Sequence, residues 1–186
     1  MTDEWESPSF LYKVIDSLGN NCLLGFIYTK YIKTLGLSGK ENILDFGSGS
    51  GAGSKHLAKL IQEKDGALTC LDTSSYWTSI AKRRLRHYKN ITFYTDPITK
   101  LPLSDNSFDI IYIHYTLHDV PQAQRAGIIT EFKRIIKPSG RLCIKEPQRA
   151  NDGMPVAEIE ELMSKNGFIK TCSSSEKGTF SGIYHK

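Results

Sequence analysis

Apolar positions change their spacing several times along the chain, and each change marks an element. Between residues 9 and 38 they recur at helical intervals: Leu11, Val14, Ile15 and Leu18 share one face and Leu24, Ile27, Tyr28, Tyr31 and Ile32 another, with a break near Gly19, Asn20 and Asn21. Ile43 and Leu44 then form a short strand that Asp45 ends, and His56, Leu57, Leu60 and Ile61 resume helical spacing from near Gly53 to about Asp65 and Gly66. Residues 67–71 read as a second strand closed by Asp72, Trp77, Ile80, Ala81 and Leu85 as a helix, and residues 91–94 as a third strand. The uninterrupted run FDIIYIH, residues 108–114, suits a fourth strand buried on both faces. A helix over residues 121–137 turns Ile128, Ile129, Phe132, Ile135 and Ile136 inward and is stopped by Pro138, Ser139 and Gly140; residues 141–146 make a fifth strand. Pro155 opens a helix carrying Val156, Ile159, Leu162 and Met163, and residues 168–173 and 179–184 make two last strands joined through Lys177 and Gly178.

Strand, helix, strand in alternation predicts an α/β fold built on parallel crossovers. No repeat, low-complexity run or linker interrupts it, so residues 1–186 read as a single domain, with residues 1–40 as an N-terminal helical cap on a core of residues 41–186.

The stretch NILDFGSGSGAG, residues 42–53, joins the first strand to a helix through glycines at alternate positions, Gly47, Gly49 and Gly51. Such a turn exposes main chain to a ligand. Gly47, Gly49 and Ala52 also satisfy a dinucleotide fingerprint, with Asp72 downstream. Asp45 argues against that ligand, because a carboxylate at the mouth of the loop repels a pyrophosphate by roughly 1 kcal/mol at ~4 Å in water and attracts a cation. S-adenosylmethionine, with a sulfonium, an ammonium and no phosphate, fits such a mouth. Asp72 reads equally as an acceptor for ribose hydroxyls or as a helix-start acid.

Composition narrows the field further. A net charge of +4 does not call for nucleic acid, and the run Lys82, Arg83, Arg84, Arg86, His87 and Lys89 reads as a solvated helix face. Cys22, Cys70, Cys143 and Cys172 lack any ligand spacing and are expected to be reduced core residues, with no metal site. The acidic start MTDEWESPSF and the lack of a long apolar run predict no membrane span and a cytoplasmic location. Tyr12, Tyr28 and Tyr31 are read as packing in preference to a substrate pocket.

Three segments together give the chain a family resemblance. ILDFGSGSGAG, LPLSDNSFDIIYIHYTLHDV and EFKRIIKPSGRLCIKE, in this order, are similar to motifs of the class I S-adenosylmethionine-dependent methyltransferases, of the ubiquinone/menaquinone-biosynthesis type. The resemblance implies a Rossmann-like, doubly wound sheet of seven mostly parallel strands in the order 3-2-1-4-5-7-6, the last strand antiparallel, with helices on both faces. It implies S-adenosylmethionine as cofactor, held by Asp45, Phe46, Gly47, Ser48, Gly49 and Gly51, by Asp72 and Thr73 at the ribose, by Asp96 and Pro97 at the adenine and by His114 near the methionyl end. Leu117 and His118 would border the acceptor.

Two positions depart from the family pattern. Ser139 replaces the first glycine of its K-P-G-G turn, and Asp119 the second histidine of its L-H-H triplet. The NPPY-type loop of amino-group methyltransferases and a Pro-Cys pair for attack on pyrimidines are absent, which disfavours those substrates. Methyl transfer from a sulfonium needs alignment and, for some acceptors, a base. His118 is the first candidate base, followed by Glu146 and Tyr115. A small-molecule acceptor is the first expectation, and a nucleic-acid or protein substrate the second. The other classes weighed are a pyridine-nucleotide oxidoreductase and a non-catalytic protein that keeps the fold.

Overall fold

A computed structural model describes residues 24–149 and 152–186. The first predicted helical segment, with Tyr12, and Cys22 lie outside the described residues. The elements in chain order are α1 (Leu24–Thr34), β1 (Asn42–Phe46), α2 (Ser54–Ile61), β2 (Ala67–Leu71), α3 (Ser75–Leu85), β3 (Ile91–Tyr94), β4 (Phe108–His114), α4 (Gln122–Ile135), β5 (Ile136–Arg149), β6 (Asp152–Gly153), α5 (Val156–Lys165), β7 (Ile169–Glu176) and β8 (Thr179–His185). The sheet runs β3-β2-β1-β4-β5-β8-β7, with β6 attached to β5. With the two-residue β6 set aside, this is the strand order that the resemblance implied. β8 is antiparallel to both β5 and β7, whereas β4 is parallel to β1 and β5. The described chain packs as two compact units, one from the residues up to Glu41 and from Ser48–Asp96, the other from Asn42–Gly47 and Pro97–Lys186.

In the first unit β2 and β3 pair in parallel, Leu68 opposite Ile91. α2 buries Leu57, Ala58 and Ile61, and α3 buries Trp77, Thr78, Ala81 and Leu85, on the faces their spacing predicts. Ser74 caps α3: its backbone is extended and its Oγ accepts from Trp77 N–H at 3.3 Å. α1 buries Tyr31 and Ile32, and its Thr29 Oγ1 lies 2.9 Å from His56 Nδ1 on α2. Ile27, expected on that inner face, is 41% exposed, so the buried stripe of α1 is narrower than its composition suggests.

In the second unit β4 buries Phe108, Ile110, Ile111, Tyr112 and Ile113, as an interior strand should. α4 turns Ile128, Ile129, Phe132 and Ile135 inward and stops at Ile135, two residues before the predicted end at Lys137. The fifth strand is longer than expected at both ends. Ile136 already pairs with Phe108, and the register shifts before Ile110 meets Arg141, so Pro138, Ser139 and Gly140 sit in an irregularity of the strand and not ahead of it. At the other end Pro147 pairs with Thr179 on β8, while Gln148 and Arg149 pair with β6, which the hydrophobic pattern did not reveal.

Motif residues in this unit hold the fold together. Asp109 accepts from Asn42 N–H and from Lys137 Nζ, tying the start of β1 to the residues after α4. Arg134 pairs with Glu131 and Asp105 and donates to Leu103 O at 2.7 Å. Lys177 and Gly178, at φ 50° and 72°, form the tight β7–β8 turn with both residues left-handed. β7 is exposed along its whole length, Cys172 included, which corrects the expectation that every cysteine is a core residue; Cys70 and Cys143 are buried. Among the described residues no helix is long and apolar enough to cross a membrane.

Candidate active site

The glycine turn begins where β1 ends, and its glycines have different reasons to lack a side chain. In the second unit Gly47 has φ +74°, and a Cβ there would lie 2.0 Å from Thr116 Cγ2. Gly47 is therefore fixed by the close approach of Thr116. In the first unit Gly49 has φ +51°, and a Cβ there would meet nothing within 4 Å among the described residues. Open space beside bare main chain is what a ligand needs. Gly51 packs on Ala81 of α3, 3.1 Å from its would-be Cβ.

Asp72, at the end of β2, holds this turn. Its Oδ2 accepts from Gly49 N–H at 2.8 Å and its Oδ1 from Ser74 N–H at 2.9 Å. Ser48 N–H donates to Leu71 O at 3.0 Å, so the turn is also fastened to the strand. Burial pushes the Asp72 carboxyl above its ordinary range, against the opposing pull of the Ser74 and Gly49 amides. The helix cap is Ser74, so Asp72 acts as the brace of the glycine turn and keeps lone pairs for a further donor. Arg84 was read with a solvated basic face. It donates from Nη1 to Ser50 O at 2.8 Å and to Ser50 Oγ at 2.7 Å, bracing the turn from α3. Thr73 and Asp96 are exposed in this unit, and Pro97 is exposed in the other.

The side chains of Asp45 and Phe46 are both buried. Asp45 is 3% exposed and engaged in contacts of its own, at the register position opposite Tyr112. The carboxylate expected at the mouth is buried, and the strand runs one residue beyond it, to Phe46. Phe46 packs edge-on against Phe132 of α4, ring centroids 5.0 Å apart.

The second unit joins two candidates that the sequence treated as alternatives. Glu146 is wholly buried on β5; its Oε1 accepts from Thr116 N–H at 3.0 Å and Leu117 N–H at 2.7 Å. Its Oε2 lies 2.6 Å from His118 Nδ1, so that Nδ1–H donates to the carboxylate. His118 lies on a single 3-10 turn, Leu117–Asp119, with Nε2 3.4 Å from Asp119 Oδ1. A buried carboxylate that fixes one imidazole nitrogen directs the other to proton transfer.

His114 and Tyr115 follow at the end of β4. Tyr112 Oη lies 2.8 Å from His114 Nδ1, and the Tyr115 ring lies tilted against the His114 ring, centroids 4.5 Å apart. Tyr115 is 40% exposed with φ +57°, a left-handed backbone uncommon for an aromatic residue, and its Oη lies 3.3 Å from Thr179 Oγ1. Burial, helped by the nearby Lys145 charge, drives the His114 imidazole down to about 3. The imidazole is therefore neutral in the folded protein at any ordinary pH. Between that value and 6.5 the unfolded chain binds a proton that the folded chain does not, so stability falls as pH is lowered through this window. Urea melts at pH 7 and pH 4 should differ by a few kcal/mol from this group. His114→Asn is expected to flatten that slope, and an unchanged slope would count against the buried neutral ring.

Thr116, Asp119, Arg84 and the pairing of His118 with Glu146 were not legible as a site. Thr116 had a signal, since an invading side chain beside Gly47 is one reason for a glycine there, but its partner was out of reach of sequence. Comparison with known proteins supplies the frame for these groups. The methyltransferase-domain profile matches residues 44–144. The demethylmenaquinone methyltransferase of Tropheryma whipplei (strain Twist) is 34% identical over 116 residues, 61% of this chain and 45% of that protein. The ubiquinone/menaquinone biosynthesis C-methyltransferase UbiE of Rickettsia prowazekii is 31% identical over 119 residues, 61% of this chain and 47% of that protein. The chain thus spans about half the length of the curated relatives it matches. A SAM-dependent methyltransferase from Aquifex aeolicus has the same fold, with a TM-score of 0.78 at 22% identity over 95% of this chain and 98% of that one. With the family profile covering more than half of its residues, the chain belongs to the methyltransferase-domain family.

Proposed function

We propose that the protein is an S-adenosylmethionine-dependent methyltransferase acting on a small, hydroxyl-bearing aromatic acceptor of the quinol class. The observation that carries this reading is the buried Glu146 carboxylate against His118 Nδ1. The cofactor supplies a methyl group on a positively charged sulfur, already activated for in-line displacement. The open space at Gly49 and the remaining lone pairs of Asp72 fit its binding. Ser48, Gly51, Thr73 and Asp96, with Asp45, Phe46, Gly47, Pro97 and His114, are proposed with them from the family resemblance. Asp45 and Phe46 would then contribute through the main chain, since their side chains are buried.

An acceptor carbon in a hydroxylated ring becomes nucleophilic when the hydroxyl loses its proton. Glu146 fixes the His118 tautomer, leaving the Nε2 lone pair to take that proton, and Asp119 stands 3.4 Å from Nε2 to stabilise the charge that results. The names of the relatives, which methylate demethylmenaquinone or act in ubiquinone and menaquinone synthesis, support the acceptor class. A cytoplasmic setting belongs to the same proposal, and the buried, reduced Cys143 accords with it. The same proposal includes the reading of residues 1–186 as one methyltransferase domain with its core at residues 41–186.

Two measurements test it. S-adenosylhomocysteine at about 100 times its Kd should stabilise the protein by about 2.7 kcal/mol, while NAD and NADP leave the melting temperature unchanged. Labelled methyl transfer to a short-chain demethylmenaquinol should then require His118. Stabilisation by a pyridine nucleotide alone, or turnover unaffected by His118→Gln, would overturn the reading.

A further inference from the structure

The base proposed above sits on a turn of three residues, too short to hold its own orientation. Leu117–Asp119 is one 3-10 turn, entered from Thr116 at φ −134° and left through Val120 in extended backbone. Backbone groups of that turn converge on one side chain. Arg125, in the first turns of α4, donates from Nη2 to His118 O at 2.8 Å and from Nε to Val120 O at 2.8 Å. Its Nη1 donates to Glu158 Oε1 on α5 at 2.7 Å. The guanidinium is mostly buried, with 11% of its side chain exposed against 23% for Glu158. A planar fork that satisfies two carbonyls and a carboxylate in fixed directions has few other ways to sit.

We infer that Arg125, anchored by Glu158, is a positioning residue that sets the orientation of His118 for proton transfer. The inference rests on the reading of His118 as base. The turn carrying the imidazole is held from two directions. Glu146 takes the Thr116 and Leu117 amides and the ring Nδ1–H, and Arg125 takes the carbonyls of His118 and Val120. The amide side alone fixes where the turn starts. The carbonyl side fixes where it ends, and with it the direction in which the ring leaves the backbone. Without the fork the ring can rotate away from Glu146, and both tautomers become accessible. The hydrogen bonds of Arg125 described above go to His118, Val120 and Glu158, none of which is proposed to meet the cofactor.

The test reads the ring directly as well as turnover. In nitrogen-15 histidine spectra of the free protein, His118 should show one tautomer with the proton on Nδ1. Arg125→Met keeps the length of the side chain and removes its donors. It should give averaged His118 nitrogen shifts and lower kcat by about tenfold to a hundredfold, with KM for S-adenosylmethionine within about twofold. Arg125→Lys should recover part of kcat, since a lysine restores the charge but not the fork. Should Arg125→Met fail to fold, Glu158→Gln carries the test, with a loss of about threefold in kcat and partial averaging of the same signals. Unchanged His118 shifts in these variants overturn the inference, as does a kcat loss matched by an equal loss of folded protein. Absence of turnover in the unmodified protein would overturn the functional reading instead, and the spectra would still decide the role of Arg125.

Discussion

Replacing Gly47 by alanine is expected to destabilise the protein by about 3 kcal/mol, combining the cost of a side chain in a left-handed backbone with that of overpacking. At φ +74° an added Cβ would lie 2.0 Å from Thr116 Cγ2, 2.3 Å from its Oγ1 and 2.6 Å from its Cβ. No rotamer of Thr116 relieves the last of these, because its own Cβ is fixed by the backbone. Against a total stability of about 5–15 kcal/mol, typical of a domain, such a loss is large. Gly49→Ala provides the contrast: with φ +51° and nothing within 4 Å among the described residues, it should cost only about 1 kcal/mol. Its larger effect should fall on the response to S-adenosylhomocysteine. Removing the obstruction with Thr116→Gly should return the steric part of the Gly47→Ala loss. Thermal melts of the three variants decide the matter, and equal melting temperatures for the two alanine substitutions would contradict the packing described.

The second large effect is expected at Glu146. Changing it to leucine removes the acceptor of the Thr116 and Leu117 amides and of His118 Nδ1–H at one stroke. Each buried donor left without a partner costs about 1–3 kcal/mol, so with three of them a loss of about 3 kcal/mol or more and no turnover are expected. Glu146→Gln separates stability from chemistry. Its amide oxygen can satisfy one side of the pair, but its NH₂ group must then face a donor on the other. If the oxygen stays with the backbone amides, the imidazole must present its unprotonated nitrogen to the NH₂ group, which moves the ring proton to Nε2. That is the nitrogen needed as base. A fall in kcat of about a hundredfold or more, with a small change in melting temperature, is the expected pattern. A glutamine variant with unaltered kcat would remove Glu146 from the mechanism.

The sequence revealed the scaffold more fully than the site, for physical reasons. The bounds of β2, β3 and β4 follow from short apolar runs closed by Asp72, by the residues before Asp96 and by His114, and they agree with the structure. The start of β5 was misjudged because Pro138 and Gly140 usually end an element, whereas here a register shift against β4 absorbs them. β6 has only two residues and forms by pairing with β5, so periodicity carries no trace of it. Asp45 was expected at the mouth of the turn and is buried, on a strand that runs one residue beyond it. Glu146 and His118 were each recognisable as candidates, but their contact joins residues 28 positions apart, and only the folded chain brings them together. Arg84 was read as part of a solvated helix face, and nothing in the sequence singled out Arg125. Arg84 donates to a backbone carbonyl 34 residues away and Arg125 to carbonyls in the turn just ahead of its helix, and a carbonyl leaves no mark in an amino-acid sequence.

One consequence of the Asp72 contact concerns rates. With its carboxylate already closed on the Gly49 and Ser74 amides, the loop has its working shape before any small molecule arrives. Association then needs no slow isomerisation of this segment. Stopped-flow traces for this step should be single exponentials whose rate rises in proportion to ligand concentration, without the plateau that a prior opening event would impose.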